Sequence, residues 1–340
     1  MLAETGNRPI WKERLNNTKW ILTLLIVLYH IPVPANAEGL QTAALLYIKN
    51  LGDCVVTSFA FISGFLFFYN AHDLSAVYAK MKKRMQTLLI PYMLWNILHS
   101  LYLIARSRGI SGFLHGVITA NWIRNMIAWD SSPHFWYIFM LLFWTVLAPL
   151  LFIVYKDKRL LIVLLLLQLI YYIYKGSDIL TSRHIYILYV WGGGIGIRFP
   201  DFWEKIGHLD DRKRKVIFYT CLIIYIAIRL PYNNIENNGI LVWCYSVRTI
   251  FLLSALINAP FEYIGAKTGY AFSFWIFATH YYMDAVISDY VSRLVPIPAV
   301  QIVSWIVVFA ITLMSGMVLK CTCPQLFSIL TGSRSNKNNS

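Results

Sequence analysis

Apolar stretches recur along the whole chain and leave little sequence between them. A helix needs about 20 residues to cross the roughly 30 Å of hydrocarbon in a bilayer, and shorter spans are tolerated beside polar cavities. A helix also satisfies its own backbone hydrogen bonds in lipid. The pattern therefore predicts an all-α fold, a polytopic membrane bundle of about ten transmembrane helices. We place these at Trp20–Pro34, Leu51–Tyr69, Leu88–Ala105, His134–Tyr155, Leu160–Tyr174, Ile185–Ile197, Val216–Leu230, Ile240–Ile257, Tyr270–Ile287 and Val300–Leu319.

The composition supports a membrane protein and argues against a water-soluble fold. Apolar residues make up 58% of the 340 residues and charged residues 14%, whereas soluble domains are about 45–50% apolar and about 25% charged. The charged residues stand in short groups between the apolar stretches, so no segment is left to form a separate soluble core. We therefore predict a single membrane domain over residues 1–340, with short cytoplasmic tails at 1–18 and 320–340.

The net charge of +14 does not indicate a nucleic-acid partner. The 30 Lys and Arg residues form small clusters between apolar stretches rather than one basic face. If the N-terminus is cytoplasmic, most of these clusters fall on the cytoplasmic side, where membrane proteins carry their excess of Lys and Arg. With ten helices, both termini are then predicted to be cytoplasmic.

A second interpretation of the first stretch stays open. Basic residues precede a short apolar run from Trp20 to Ile31, and Ala35-Asn36-Ala37 resembles the small-residue cleavage site of a signal peptide. Cleavage there would remove the first helix, and with it Lys19 and His30.

The first predicted helix contains a histidine, His30, near its far end. Ionisable side chains are costly to bury in a membrane span and usually face a cavity or a partner, so a functional site is the first hypothesis. Lys19 lies eleven residues earlier. At about 100° and about 1.5 Å per residue, the two share one helix face and lie about 16 Å apart. The alternatives are a neutral histidine hydrogen-bonded to another helix and a lysine that only anchors the interface.

Two further predicted helices carry ionisable side chains. His280 and Asp284 lie four residues apart on one face, where the carboxylate could orient the imidazole. They are candidates for acceptor binding or for a structural interhelical hydrogen bond. Arg248 lies in mid-helix, where an unpaired guanidinium would be costly, so we expect a cavity or a carboxylate partner nearby. Asp53 and Glu262 are the candidate partners.

Three other features favour structural interpretations. Ser63-Gly64 lacks the strand and the Gly-x-Ser-x-Gly context of a nucleophilic serine, so we expect close helix packing by small residues. The run from Gly192 to Gly196 lies at a membrane helix end and predicts packing or a helix break rather than a phosphate loop. The five cysteines are scattered, without CxxC pairs or zinc spacing, and indicate neither disulfides nor a metal site.

An ordered set of motifs resembles a known family. The first motif is Lys19 and His30, separated by ten residues. A basic cluster that ends at Arg84 comes later, and further motifs continue to the C-terminus. In order and spacing the chain is similar to the bacterial acyltransferase-3 family of integral membrane acyltransferases, whose first helix carries Arg, ten residues and then His. Lys19 stands where that arginine belongs. The other motifs are Phe61-Ile62-Ser63-Gly64-Phe65, Leu89-Ile90-Pro91-Tyr92, Phe135-Trp136-Tyr137, Gly269 to His280 and Leu330-Thr331-Gly332.

The resemblance implies an enzyme that transfers an acyl group, usually acetyl from acetyl-CoA, to a hydroxyl of a cell-envelope glycan or lipid-linked sugar. It implies a multi-pass protein of the bacterial cell membrane whose partners are the bilayer, acyl-CoA and the sugar acceptor. His30 matches the essential histidine of the family and would act as general base on the hydroxyl. His280 matches a second recurring histidine. A transporter or exporter of a glycan intermediate is the alternative function, because intramembrane charges also suit translocation.

The resemblance also assigns the basic cluster before the third helix. The family often shows Arg-x-x-Arg there; Arg84 matches the first arginine and Thr87 replaces the second. Binding of CoA phosphates would then recruit Lys83, Lys82 or Lys19 as point charges rather than bidentate forks. Ordinary flanking charge is the alternative.

Two aromatic residues are assigned in the same way. Trp136 and Tyr137 stand where the family has aromatic residues beside its substrate cavity, and an interfacial aromatic belt is the simpler explanation. The sequence assigns no role to the neighbouring His134.

Overall fold

The structure is a computed structural model that describes residues 9–34, 36–101, 133–175, 185–229, 238–261, 263 and 265–332. Within these ranges every regular element is helical, so the predicted all-α fold is confirmed there. The α-helices, numbered α1 to α16 in chain order, are Ile10–His30, Gly39–Lys49, Val55–Phe68, Leu74–Arg84, 90–101, Trp136–Val146, Ala148–Lys156, Lys158–Lys175, Ile185–Arg198, Phe202–Gly207, Asp211–Arg229, Asn238–Ile257, Ala266–Gly269, Ser273–Ser292, Ile297–Thr322 and Pro324–Thr331.

The first helix differs from its predicted bounds at both ends. Helix α1 begins at Ile10 and ends at His30, where the prediction ran from Trp20 to Pro34. The end is set by Pro32, because the residue before a proline is kept out of the helical region. Ile31 accordingly has φ −58° and ψ 122°. His30 therefore lies at the C-terminal end of α1.

The fourth predicted span is two helices rather than one. Helix α6 ends at Val146 and α7 begins at Ala148, with an angle of 60° between them. Pro149 lies in the first turn of α7, a position that tolerates proline because the missing N–H has no helical partner there. In a continuous helix the same ring would clash with the preceding turn.

Few of the described helices could cross a membrane unaided. Two segments are long and apolar enough: Gly39–Phe68, which joins α2 and α3, and Ala299–Thr322 of α15. The bent pair α6 and α7 meets the same criterion if it forms one span. The count of ten crossings and the cytoplasmic position of both termini stay predictions.

Helix α1 packs against α3, α12, α14 and α15. Trp11 near its start is buried and its ring lies edge-on to Phe65 and Tyr69. Nearer its end, the Leu24 carbonyl accepts a 2.9 Å hydrogen bond from the Trp305 indole. From Ile10 onward the predicted N-terminal tail is thus a packed part of α1.

The predicted C-terminal tail is also packed over its described part. Phe327 of α16 is buried against the rings of Phe272 and Trp275. Helix α16 ends at Thr331 and is followed by Gly332, whose φ of 62° is one that glycine adopts without strain. A side chain at Gly332 would also clash with the Thr87 carbonyl. Packing and turn geometry together require a glycine in this motif.

Glycines bring α3 and α9 into backbone contact. A Cβ on Gly64 would clash with the Tyr189 carbonyl, and a Cβ on Gly192 would clash with the Phe61 carbonyl. The packing interpretation of both glycine motifs is therefore confirmed. The Gly192–Gly196 run continues α9 without a break.

Candidate active site

Three histidines from three elements meet at the end of α1. The ring centroids of His30 and His280 of α14 lie 5.1 Å apart, and those of His280 and His134 lie 5.9 Å apart. His134 belongs to the short 3₁₀ turn before α6, and its Nε2 lies 3.3 Å from the Ala278 carbonyl. In the described chain no group of three or more His, Cys, Asp or Glu side chains has the arrangement of a metal site.

The three histidines differ in accessibility. His280 and His134 are buried, whereas His30 is half-buried. The ring of His30 contacts Tyr29, His280 and Tyr281. Neither of its nitrogens has a hydrogen-bond partner among the described residues. His30 is thus the histidine of this group that a substrate can reach and whose nitrogens are free to exchange a proton.

Asp284 does not orient His280, contrary to one interpretation of their spacing. The Nδ1 of His280 lies 3.0 Å from the Ile276 carbonyl, one turn earlier on the same helix. This contact lies within one helix, so the imidazole of His280 is positioned by the backbone rather than by another side chain. The Nε2 of His280 and both carboxylate oxygens of Asp284 are buried without a hydrogen-bond partner within the described part of the chain.

A cavity of about 370 Å³ lies along α1, next to the histidines. Thr23 and Ile26 of α1 line it, and His30 continues the same helix face four residues after Ile26. The cavity is mostly apolar in character, with Arg84 among its few polar groups. Other residues of its wall are Ser63 of α3, Tyr137 of α6 and Phe277 of α14.

Phe277 borders both the cavity and the histidines. It lines the cavity, and its ring centroid lies 5.6 Å from that of His134 and 6.1 Å from that of His280. The cavity and the histidine group are therefore neighbours that share one aromatic side chain.

Arg84 is held in place at the cavity wall by neutral groups. Its guanidinium donates to the Ser63 hydroxyl and, at 3.4 Å, to the Tyr189 hydroxyl. It also lies over the Phe67 ring, 5.1 Å from its centroid. No carboxylate among the described residues forms an ion pair with it. The charge of Arg84 is thus available to an anionic ligand.

Three other residues assigned from the sequence do not line this cavity. The Lys19 ammonium donates at 3.4 Å to the Asn16 side chain. Lys83 is exposed to solvent. Trp136 packs edge-on against its neighbour Tyr137, and it is Tyr137 that reaches the cavity. The binding roles assigned to all three stay predictions.

Arg248 has the carboxylate partner that its burial requires. It is fully buried, and its Nη1 donates to both oxygens of Asp53 at 2.6 and 2.5 Å. Its Nε donates at 3.0 Å to the Tyr225 carbonyl. Glu262, the other candidate partner, lies outside the described residues. Arg248 does not line the cavity along α1, so its assignment to a substrate cavity gains no support there.

Sequence reasoning missed several residues of this site. His134 carried a usable signal, because a histidine at a membrane helix end invites the same question as His30. Tyr137 carried the motif signal that it shares with Trp136, whereas Phe277 carried none, since aromatic side chains are frequent throughout apolar helices. Ser63 was interpreted through packing alone, yet its hydroxyl fixes Arg84.

Comparison with known proteins decides the family. The sequence matches the family model described as an acyltransferase domain, Acyl_transf_3, over residues 12–321. The chain belongs to the acyltransferase-3 family. It is therefore an acyltransferase enzyme, and its apolar helices agree with a membrane protein. No curated protein and no solved structure matches the chain significantly.

Proposed function

We propose that this acyltransferase moves an acetyl group from acetyl-CoA to a hydroxyl of a cell-envelope glycan or lipid-linked sugar, with His30 as general base. The protein would act as a multi-pass enzyme of the bacterial cell membrane. The observation that carries the proposal is the state of His30, which is half-buried, unpartnered among the described residues and next to a cavity.

The geometry supports a direct transfer. His30 takes the proton of the acceptor hydroxyl as the hydroxyl oxygen attacks the thioester carbonyl. The new ester C–O bond forms, the C–S bond breaks, and the proton held on His30 passes to the departing sulfur. General-base catalysis of this kind contributes about 10² to 10⁴ in rate.

The cavity along α1 suits the acyl donor. Its volume of about 370 Å³ and apolar wall fit a narrow chain, and pockets for small molecules are commonly about 300–1,000 Å³. Arg84 supplies a guanidinium for a phosphate group, for which a planar fork of donors is well adapted. Thr23 and Ile26 line the cavity on α1, and His30 follows Ile26 by one helical turn.

Mass spectrometry of envelope glycans tests the proposal. Cells that produce the protein should carry glycans with an acetyl-sized mass increment that cells without it lack. Cells that produce His30→Ala at equal abundance should lose the increment. Unchanged acetylation in the absence of the protein would contradict the proposal, and a change in glycan export without a change in acetylation would favour the transporter.

A further inference from the structure

Beyond His280, helix α14 carries a stripe of buried polar side chains. Asp284 and Ser288 follow His280 at intervals of four residues, so all three lie on one helix face. Asp284 is 3% exposed and Ser288 is 5% exposed. The stripe begins at the imidazole that contacts His30.

Helix α15 carries two buried polar side chains near the same end of the helix pair. Gln301 and Ser304 are fully buried. Helices α14 and α15 pack together as antiparallel neighbours joined by the short turn 293–296. Ser288 precedes the turn by about as many residues as Gln301 follows it, so the two residues lie at a similar height along the helix pair. The polar cluster is the set of four side chains Asp284, Ser288, Gln301 and Ser304.

The polar cluster has no hydrogen-bond partners within the described chain. This holds for both oxygens of Asp284, the hydroxyls of Ser288 and Ser304, and both amide atoms of Gln301. A helical serine commonly donates to the carbonyl one turn earlier, as Ser246 does to Val242 at 2.9 Å. The two serines of the cluster do not make this bond.

The other end of the same helix pair shows the opposite pattern. The Trp275 indole of α14 donates at 3.1 Å to both the Thr312 carbonyl and the Ser315 hydroxyl of α15. Thr312 in turn donates at 2.9 Å to the Val308 carbonyl. Hydrogen bonds thus join the two helices at the Trp275 end, whereas the polar cluster at the other end has none within the described chain.

Buried polar groups without partners destabilise a protein, so their concentration in one place calls for a ligand. Lys49 lies within electrostatic range of both Asp284 and His30, which places the cluster beside the reacting end of the site. A carboxylate accepts hydrogen bonds from two hydroxyls, and a serine hydroxyl or an amide both donates and accepts hydrogen bonds. This set of groups matches the hydroxyls of a sugar ring.

We propose that the polar cluster of α14 and α15 binds the acceptor sugar through its hydroxyl groups and presents one of them to His30. This inference rests on the proposed function and adds where the acceptor binds.

The test compares cluster variants with a matched control from the same helix. Ser304→Ala and Gln301→Leu remove cluster groups, and Thr312→Val removes a hydrogen-bonded hydroxyl on the same helix. Purified variants in proteoliposomes receive radiolabelled acetyl-CoA and a panel of methyl glycosides. The KM for the glycoside should rise about three- to tenfold in each cluster variant, the loss expected for one hydrogen bond. The KM for acetyl-CoA should stay unchanged, and Thr312→Val should leave both KM values unchanged.

Thermal unfolding distinguishes a binding role from a structural one. Removing an unpartnered buried group should leave the Tm of the cluster variants unchanged or raise it, whereas Thr312→Val should lower it. An unchanged glycoside KM together with a lowered Tm in the cluster variants would overturn the inference. If the wild type transfers acetyl to no glycoside, the proposed function fails and this inference fails with it. If the wild type transfers and the cluster variants match it, only this inference fails.

Discussion

Two groups of buried polar side chains differ in how fully they are hydrogen-bonded. Around Arg248, the guanidinium meets both carboxylate oxygens of Asp53 and a backbone carbonyl. Around His30, neither that imidazole nor the side chains of Asp284, Ser288, Gln301 and Ser304 have hydrogen-bond partners in the described chain. Burying polar groups costs free energy in both regions. Within the described chain, only the region around Arg248 offsets this cost with hydrogen bonds to other protein groups. The proposed function predicts this contrast between a region that holds the fold and a region that binds a substrate.

The largest effect is expected at His30. His30→Ala should lower kcat for acetyl transfer by about 10²- to 10⁴-fold because the general base is lost. Its Tm should change little, since no hydrogen bond of the imidazole is lost. Radiolabel transfer and thermal unfolding measure the two quantities. His208→Ala is the matched control, because His208 is exposed and distant in sequence. Full activity in His30→Ala would show that His30 is not the general base.

The next effect is expected at Asp53 and concerns stability. Asp53→Ala leaves the buried Arg248 uncompensated and should lower the free energy of unfolding by about 3–5 kcal/mol. Unfolding of the detergent-solubilised protein measures this. The double variant Asp53→Ala/Arg248→Met should regain much of the loss, because the unpaired charge is gone. Equal stability of the single variant and the wild type would show that the ion pair does not hold the fold.

A smaller effect is expected at the donor end of the site. Arg84→Leu should raise the KM for acetyl-CoA about tenfold, in line with a lost hydrogen bond to a charged group. The glycoside KM should stay unchanged. Lys83→Leu is the matched control, since Lys83 is the exposed neighbour of Arg84. An equal rise in both variants would indicate general surface charge rather than a site at Arg84.

The smallest effect is expected at Lys19. Lys19→Gln should raise the KM for acetyl-CoA by a few-fold at most, because its ammonium bonds Asn16 and does not line the cavity. Lys12→Gln, an exposed position on the same helix, should have no effect. A loss at Lys19 as large as that at Arg84 would show that the donor draws Lys19 into the cavity.

Much of the helical layout could be predicted from the sequence. Helix α9 was placed at Ile185–Ile197 and ends at Arg198, because a continuous apolar stretch in lipid has few alternatives to a helix. The break between α6 and α7 was missed although Pro149 marks it, since prolines are tolerated inside membrane helices when neighbours satisfy the freed backbone. The start of α1 was missed because its first turns are polar and gave no apolar signal.

The sequence alone determined that the chain is helical, that it belongs in a membrane and that His30 and Arg248 need an explanation, because a buried ionisable group is costly wherever it lies. Only the tertiary structure decided which explanation applies. Asp53 and Arg248 are 195 positions apart, and spacing along one helix says nothing about the side chains of the next. Their contact gives Arg248 the carboxylate that its burial requires, while the imidazole of His30 has no hydrogen-bond partner in the described chain.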